Sequence, residues 1–313
     1  MDWREVWFVC PVSRFEEVDY VRRGVSSMLK ITRNVLLVGD FDTCGKYGEY
    51  LCVESPHVGA GYARELGYDM IRNEVEYIIF SDAHVYYHDK AKQYLERILT
   101  YMENDPTIGM IVPKIGIWDN YGLHDDAYTD GSYHTYWSLQ WIILQNPTNR
   151  IVPIPSSNEP IFIVRKKLLD DIFRVRGFIF LPYWGFENHD IGIMAWRLGY
   201  RVLNYPLLVG YHRYRENFPK GRLEDKSLYR RENWYVDNID SPFSYAYMLN
   251  MAMYILCHYP PQHSEQMIKR HGLEPYLDKL PISIETLRNV GKMVPTKYDV
   301  YRQLEHIYRY IWR

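Results

Sequence analysis

The stretch Tyr-Ile-Ile-Phe-Ser-Asp-Ala-His, residues 77–84, decides the fold and places the first candidate site. Its first four residues are aromatic or branched apolar ones, which is typical of a strand that is buried on both faces of a sheet. Asp82 and His84 follow at once, and residues two apart in an extended chain point to the same side. We therefore expect a carboxylate and an imidazole side by side at the carboxyl end of a strand, where open α/β sheets bind ligands.

The Asp82–His84 pair suits a divalent cation that also binds phosphate oxygens. Both Mg²⁺ and Mn²⁺ accept carboxylate ligands, and the imidazole favours Mn²⁺. A surface turn in which Asp82 caps a helix beginning near Asp89 would explain the same residues without a metal. The triplet alone does not decide between the two interpretations.

Similar apolar runs alternate with amphipathic segments over the first 115 residues. The predicted strands are Val6–Cys10, Val35–Val38, Tyr50–Val53, Tyr77–Phe80 and Met110–Ile115, and the predicted helices are Val18–Leu29, Tyr62–Ile71 and Ala91–Met102. Strands that alternate with helices predict βαβ units, hence an α/β fold with a largely parallel sheet. Residues 116–150 lack periodicity and predict a long functional loop. We expect the sheet domain to span residues 1–220 and a helical C-terminal extension to span 221–313.

Charge and composition exclude several classes of protein. The net charge of −2 argues against nucleic-acid binding, which needs a basic surplus. No apolar run reaches the roughly 18 residues that predict a transmembrane helix. The four cysteines show no paired or zinc-like spacing, which favours free thiols in a reducing compartment. The sequence therefore predicts a cytoplasmic protein.

Polar residues also follow two other predicted elements. Asp40 and Asp42 come after the second strand, where an acid can bind a base or a ribose hydroxyl; a simple turn is the alternative. Gly59 and Gly61 precede the helix that holds Arg64. Such glycines let backbone amides approach an anion, and Arg64 adds a permanent positive charge. A helix cap with a solvated arginine is the alternative.

A third cluster is Pro-Tyr-Trp-Gly-Phe-Glu-Asn-His-Asp, residues 182–190. Trp184 and Gly185 are expected to form a flat wall and a tight turn, and Glu187, Asn188 and Asp190 begin a predicted helix. Burying three unpaired polar groups would be costly, so the cluster favours a polar ligand. Helix capping by Asn188 is the alternative.

A fourth group of polar residues follows the predicted strand Arg201–Tyr205. His212 is a candidate to complete the metal site, and Arg213 and Arg215 are candidates to face phosphates. A lone histidine is more often structural, so this assignment depends on the other clusters.

Taken in order, these motifs resemble the GT-A fold of nucleotide-diphospho-sugar transferases. The N-terminal half is similar to family 2 glycosyltransferases: a strand ending at Pro11, then LLVGDFD (36–42), GAGYARELG (59–67) and IIFSDAH (78–84). From Asp82 onward, SDAH (81–84), WGFEN (184–188) and VGYH (209–212) resemble the Asp-x-His, WGGEN-like and VGH-like motifs of the polypeptide N-acetylgalactosaminyltransferases. Glu159-Pro160 replaces a usual glycine pair, and His212 stands one position late.

The resemblance implies a role for each matching residue. Asp82, His84 and His212 would bind Mn²⁺ (or Mg²⁺) at the donor diphosphate, and Glu187 and Asn188 would face the donor sugar and the acceptor. Asp40 and Arg64 would hold the nucleoside. The whole expected donor-binding set is Pro11, Val12, Asp40, Asp42, Gly59, Arg64, Asp82, Trp184, Gly185 and Arg215.

The implied function is a metal-dependent glycosyltransferase that uses a UDP-sugar and a glycan, protein or small-molecule acceptor. Asn188 occupies the place where inverting relatives have an Asp base, which favours retention, although Asp190 could serve as a base if the helix were rotated. A catalytically silent scaffold, a metal hydrolase and a nucleotidyltransferase are the alternatives. The last normally has a Gly- and Lys/Arg-rich loop after the first strand, which residues 12–17 lack. The C-terminal helices are expected to shape the acceptor site or a homodimer contact.

Overall fold

The computed structural model describes residues 2–304 apart from 15, 41, 57–58, 121, 130, 135–138, 140, 145–148, 158–159, 214–241, 294 and 303. Its strands are β1 (Val6–Val12), β2 (Val35–Asp40), β3 (Cys52–Ser55), β4 (Tyr77–Ser81), β5 (Val85–Tyr87), β6 (Ile108–Asp119), β7 (Gly122–Thr129), β8 (Gly131–His134), β9 (Trp141–Leu144), β10 (Val152–Pro153), β11 (Ile161–Arg165) and β12 (Arg201–Arg213). Its helices are α1 (Val18–Leu29), α2 (Ala60–Ile71), α3 (Ala91–Asn104), α4 (Lys166–Arg176), α5 (Glu187–Arg197), α6 (Pro242–His258), α7 (Pro261–Arg270) and α8 (Ile284–Gly291).

The main sheet is mixed and mostly parallel, and it confirms the predicted α/β fold. Its order is β10-β12-β6-β11-β4-β1-β2-β3, with β5 paired to β12 and β7 paired to β6. Strands β4, β1, β2 and β3 run parallel, as do β6 and β12, whereas β11 is antiparallel to both β4 and β6. The carboxyl ends of β4, β1 and β2 therefore meet at one edge.

Neighbouring residues of a strand point to opposite faces of the sheet. Because both faces of this sheet carry apolar side chains, helices cover both of them. Phe8 and Ile79 belong to a core formed with α1 and α3. Val9 and Phe80 belong to the other core, which also contains buried residues of α2, α4, α5, α6, α7 and α8. The C-terminal helices thus share one core with the sheet. The predicted domain boundary at 220/221 lies outside the described residues and stays a prediction.

Two predictions about local structure are corrected. Residues 116–150 are not a loop throughout, because β6 continues to Asp119 and the segment also contains β7, β8 and β9. The prediction of four free thiols was wrong for Cys44 and Cys52, which form a disulfide across eight positions; Cys10 and Cys257 are free and buried. The spacing of these cysteines in the sequence could not reveal the disulfide, because they meet only after the chain turns back from β2 and β3 pairs with β2.

Within the described parts of the chain, no helix has both the length and the apolar character needed to span a bilayer.

Candidate active site

Strand pairing brings the three expected metal ligands together. Asp82 directly follows β4, and His84 directly precedes β5. Strand β5 pairs antiparallel with the end of β12, so that His212 lies opposite Val85 and Arg213 N–H donates to the carbonyl of His84. Two histidines separated by 128 positions are therefore neighbours.

The side chains of Asp82, His84 and His212 offer ligand atoms that all lie within 4.8 Å of one another. The Nε2 atoms of the two histidines are 2.9 Å apart, and His212 Nε2 is 3.3 Å from Asp82 Oδ2. Ligands at right angles around an octahedral ion, each bound at about 2.1 Å, lie about 3.0 Å apart. The spacing of the donor atoms thus fits a divalent cation. Asp82 does not cap the next helix, since the N-cap of α3 is Lys90.

The ionisation of these groups also suits a cation. Burial alone would raise the pKa of Asp82, but the hydrogen bond from His212 and the charge of Arg64, together with that of either histidine when it is protonated, outweigh it and lower the pKa. Burial lowers the pKa of both His84 and His212. A charged carboxylate and two neutral imidazoles are the forms that bind a metal.

Arg64 extends this cluster towards α5. Its guanidinium lies 2.8 Å from Glu187 Oε1 and 3.5 Å from Asp82 Oδ1, and the Arg64 side chain is only 3% exposed. Burial raises the pKa of Glu187, and the charge of Arg64 opposes that rise. Arg64 therefore holds two carboxylates in place; its expected contact with the nucleoside stays a prediction.

Comparison with known proteins identifies the fold. No protein-family model and no curated protein matches the sequence. A crystal structure of GalNAc-T7 with UDP, GalNAc and Mn²⁺ matches with a TM-score of 0.68 and 16% identity, over 98% of this chain and 57% of that one. A structure of S. aureus TarS 1-349 in complex with UDP-GlcNAc matches with a TM-score of 0.50 and 15% identity, over 91% of this chain and 78% of that one.

The chain has the GT-A fold. It spans little more than half the length of the GalNAc-T7 structure. The resemblance seen in the motifs is thus confirmed at the level of the fold.

The end of β1 and the end of β2 form the expected nucleoside side of the GT-A sheet. Pro11 and Val12 pair with Val38 and Gly39, which brings them next to Asp40. Asp40 Oδ1 accepts hydrogen bonds from the Arg14 amide (2.7 Å) and the Thr43 hydroxyl (3.0 Å). Asp40 therefore fixes the loops around this part of the sheet.

Asp42 lies beyond Asp40, is exposed, and has a φ of 48°. This left-handed conformation is the turn that the sequence left open as an alternative.

The glycines before α2 serve packing. A Cβ on Gly61 would lie 1.7 Å from the carbonyl oxygen of Leu181, and one on Gly59 would lie 2.5 Å from that of Pro182. The amides of Gly61 and Tyr62 donate to the carbonyls of residues 183 and 182. The amides of Gly61 and Tyr62 are thus bonded to protein carbonyls, and the expected donor contact of Gly59 stays a prediction. The glycines let the 181–183 backbone pass closely over α2.

The Trp184-to-Asn188 segment joins that backbone to α5. Gly185 and Phe186 both have a left-handed φ, of 86° and 66°, and α5 then starts at Glu187. Glu187 and Asn188 are 5% and 6% exposed. The side chain of Asn188 makes no N-terminal cap, because the N-cap residue is Phe186.

Asp190 does not belong to this cluster. It is fully buried and bonds to both guanidinium nitrogens of Arg176 and to His258 Nε2 at 2.7 Å. A carboxylate that accepts three hydrogen bonds from these two residues and has no exposure is poorly placed to take a proton from an acceptor, which argues against the alternative role of Asp190 as a base. Arg215 lies outside the described residues.

Sequence reasoning missed Glu16, in the loop between β1 and α1. Its Oε2 is 3.0 Å from His84 Nδ1, and both side chains are less than 10% exposed. The two atoms are at ion-pair distance without the alignment of a hydrogen bond, and a carboxylate beside Nδ1 favours a proton there, which leaves Nε2 for a metal. Helix α1 also packs against the turn that holds His84, since a Cβ on Gly24 would lie 2.3 Å from the Ala83 carbonyl oxygen. The acidic pair Glu16-Glu17 after β1 was the only signal available.

Proposed function

We propose that the protein is a metal-dependent glycosyltransferase that moves a sugar from a UDP-sugar to an acceptor hydroxyl. The observation that carries the proposal is the convergence of Asp82, His84 and His212 at the ligand-binding edge of a GT-A sheet. The structural neighbours add support, because one was solved with UDP, GalNAc and Mn²⁺ and the other with UDP-GlcNAc. Mn²⁺ is the proposed ion, with Mg²⁺ as the substitute.

In this proposal the three ligands hold the ion where the donor diphosphate binds. The ion would offset the negative charge that develops on the leaving diphosphate. Arg64 keeps Asp82 and Glu187 in fixed positions, and Glu16 orients His84. These contacts hold the charged groups in place before substrate arrives, which lowers the cost of reorganisation during the reaction.

The proposed donor site runs along the same edge. Pro11, Val12, Asp40 and Asp42 stand on the nucleoside side, and Trp184 and Gly185 stand on the sugar side with Glu187 and Asn188. Arg215 stays a predicted phosphate contact. The sugar type, hexosyl or N-acetylhexosaminyl, is tested by screening UDP-sugars.

Retention of the anomeric configuration is the proposed outcome. Asn188 is an amide and accepts no proton, and Asp190 is sealed between Arg176 and His258. Neither of these two residues is suited to act as the base of an inverting reaction, which favours retention. Proton NMR of the fresh product measures the anomer directly, and a product of inverted configuration would end this part of the proposal.

The central experiment is Mn²⁺-dependent hydrolysis or transfer of UDP-sugars by the wild type, Asp82→Ala and Asp89→Ala. Asp89 is the matched control, because it is an exposed acid seven residues further along the chain. We expect activity in the wild type and Asp89→Ala and none in Asp82→Ala. Folded protein without activity would favour the scaffold alternative, and formation of UDP-sugar from UTP and a sugar phosphate would favour the nucleotidyltransferase.

Other parts of the function stay predictions. A glycan, protein or small molecule is the proposed class of acceptor, and a homodimer is one arrangement for the C-terminal helices. The cytoplasmic location is also a prediction, against which the Cys44–Cys52 disulfide weighs, because such bonds are rare in reducing compartments.

A further inference from the structure

Residues 181–186, which we call the Trp184 loop, lie between two elements that are far apart in the sequence. On one side, the glycines at the start of α2 contact the loop backbone at residues 181–183. On the other side stands α6, which belongs to the C-terminal extension. The loop leads directly into Glu187, which forms an ion pair with Arg64 of the metal cluster.

Asn250 of α6 bridges the loop on either side of Trp184. Its Oδ1 accepts a hydrogen bond from the amide of Tyr183 at 3.1 Å, and its Nδ2 donates to the carbonyl of Gly185 at 2.6 Å. Asn250 is fully buried. One side-chain amide thus bonds to a backbone donor and a backbone acceptor of the irregular loop.

Tyr247, one turn earlier on α6, packs on the same loop. A Cβ on Gly185 would lie 2.4 Å from Cδ2 of Tyr247, so the tyrosine ring rests on the glycine itself. The ring centroid of Tyr247 is 5.8 Å from that of Trp184 and 5.1 Å from that of Phe186. Gly185 and Phe186 are both left-handed, and a non-glycine residue keeps that conformation only where its surroundings impose it.

We propose that Asn250 is a positioning residue that fixes the Trp184 loop, so that α6 forms part of the donor-sugar side of the active site. The role of the loop in sugar binding rests on the proposed function; its positioning by Asn250 does not. Helix α6 is itself held rigidly, because His258 at its end bonds to Asp190 of α5 and its buried face belongs to the same core as the sheet. The C-terminal extension therefore contacts the proposed active site through the side chains of Tyr247 and Asn250.

A ligand-free measurement tests the positioning. In hydrogen–deuterium exchange, the peptide covering residues 181–189 should exchange at least about tenfold faster in Asn250→Leu than in the wild type, because the Tyr183 amide loses its acceptor. Met251→Ala is the matched control: it removes a fully buried side chain from the same helix one position away. We expect it to lower Tm while leaving the exchange of this peptide near that of the wild type.

A binding measurement tests the role in the site. Titration with UDP and with UDP-GlcNAc or UDP-GalNAc, all with Mn²⁺, should show that Asn250→Leu weakens the UDP-sugar by at least about fivefold and UDP by much less. Met251→Ala should keep the wild-type ratio of the two affinities. If Asn250→Leu fails to fold, Tyr247→Ala replaces it, since Tyr247 is only half-buried, and it should move both readouts in the same direction.

The outcomes separate the two proposals. Wild-type protein that binds no UDP-sugar contradicts the proposed function, while faster exchange in Asn250→Leu alone still supports the positioning. Unchanged exchange in Asn250→Leu, or equal acceleration in Met251→Ala, overturns the positioning. Faster exchange with an unchanged ratio of affinities, in a wild type that binds UDP-sugar, overturns the link between α6 and the donor sugar.

Discussion

His258 is expected to make the stability of the protein depend on pH below about 6.5. Its Nε2–H donates to Asp190 at 2.7 Å, and its Nδ1 faces the Arg197 guanidinium at 3.2 Å, so the ring is neutral in the folded protein. Burial is the largest cause that lowers the pKa of His258 from 6.5 to about 4; the carboxylate of Asp190 opposes the shift, and the charges of Arg197 and Arg176 add to it.

The sign follows from the lowered pKa. Well above pH 6.5, His258 is neutral in both the folded and the unfolded protein, so its titration does not change the free energy of unfolding. As the pH falls from 6.5 towards 4, the unfolded chain takes up a proton that the folded protein refuses, so stability is lost in this window. The shift of about 2.5 units corresponds to about 3 kcal/mol in full, of which about 2 kcal/mol is lost between pH 7 and pH 4.5.

Urea denaturation followed by circular dichroism at pH 7 and pH 4.5 measures this loss. Other groups titrate too, so the comparison is with His258→Gln, whose amide does not titrate and can both donate to Asp190 and accept from Arg197. We expect the wild type to lose about 2 kcal/mol more than the variant over this interval. Parallel losses in the two proteins would refute the reasoning.

Three further perturbations test other contacts. Glu16→Gln should weaken Mn²⁺ binding about 10- to 100-fold, measured by electron paramagnetic resonance. Glu17→Gln is the control, because Glu17 is an exposed neighbour, and it should leave the affinity unchanged. Equal Mn²⁺ affinities of the two variants would show that Glu16 does not support the site. Gly61→Ala should lower the free energy of unfolding in urea by about 1–3 kcal/mol, because the new Cβ would overlap a backbone carbonyl. In Gly45→Ala the new Cβ points into open space, so the free energy of unfolding should change by no more than about 0.5 kcal/mol. Similar losses in the two variants would contradict the close packing at Gly61. Arg64→Met should lower the free energy of unfolding by about 3–5 kcal/mol by the same method, because two carboxylates lose the guanidinium that they share. An unchanged free energy of unfolding would show that other groups compensate these carboxylates.

The fold was largely predictable because it depends on local patterns. The runs ending near Cys10, Val38 and Phe80 are buried strands, and the helices between them begin and end within about two residues of the predicted bounds. Asp82 and His84 were predictable because alternation along an extended chain puts them on one side. His212 was found through the order of the motifs.

The remaining contacts join residues that no local pattern connects. Glu16 reaches His84 across 68 positions of sequence, and Arg64 reaches Glu187 across 123. The sequence predicted that Arg64 lies near an anion of the ligand, whereas its partners in the structure are two carboxylates of the protein. A buried guanidinium needs a charged partner, and these carboxylates supply it. Asn250 is a polar residue in the mostly apolar helix α6, and only the packing of that helix shows what it bonds.

The most direct test of the account is the binding of Mn²⁺ by the purified protein, followed by electron paramagnetic resonance with and without UDP. The account predicts one bound ion per chain, tighter binding when UDP is present because the two ligands are coupled, and loss of both effects in Asp82→Ala but not in Asp89→Ala. Binding that survives in Asp82→Ala, or wild-type protein that binds neither Mn²⁺ nor UDP, would contradict it.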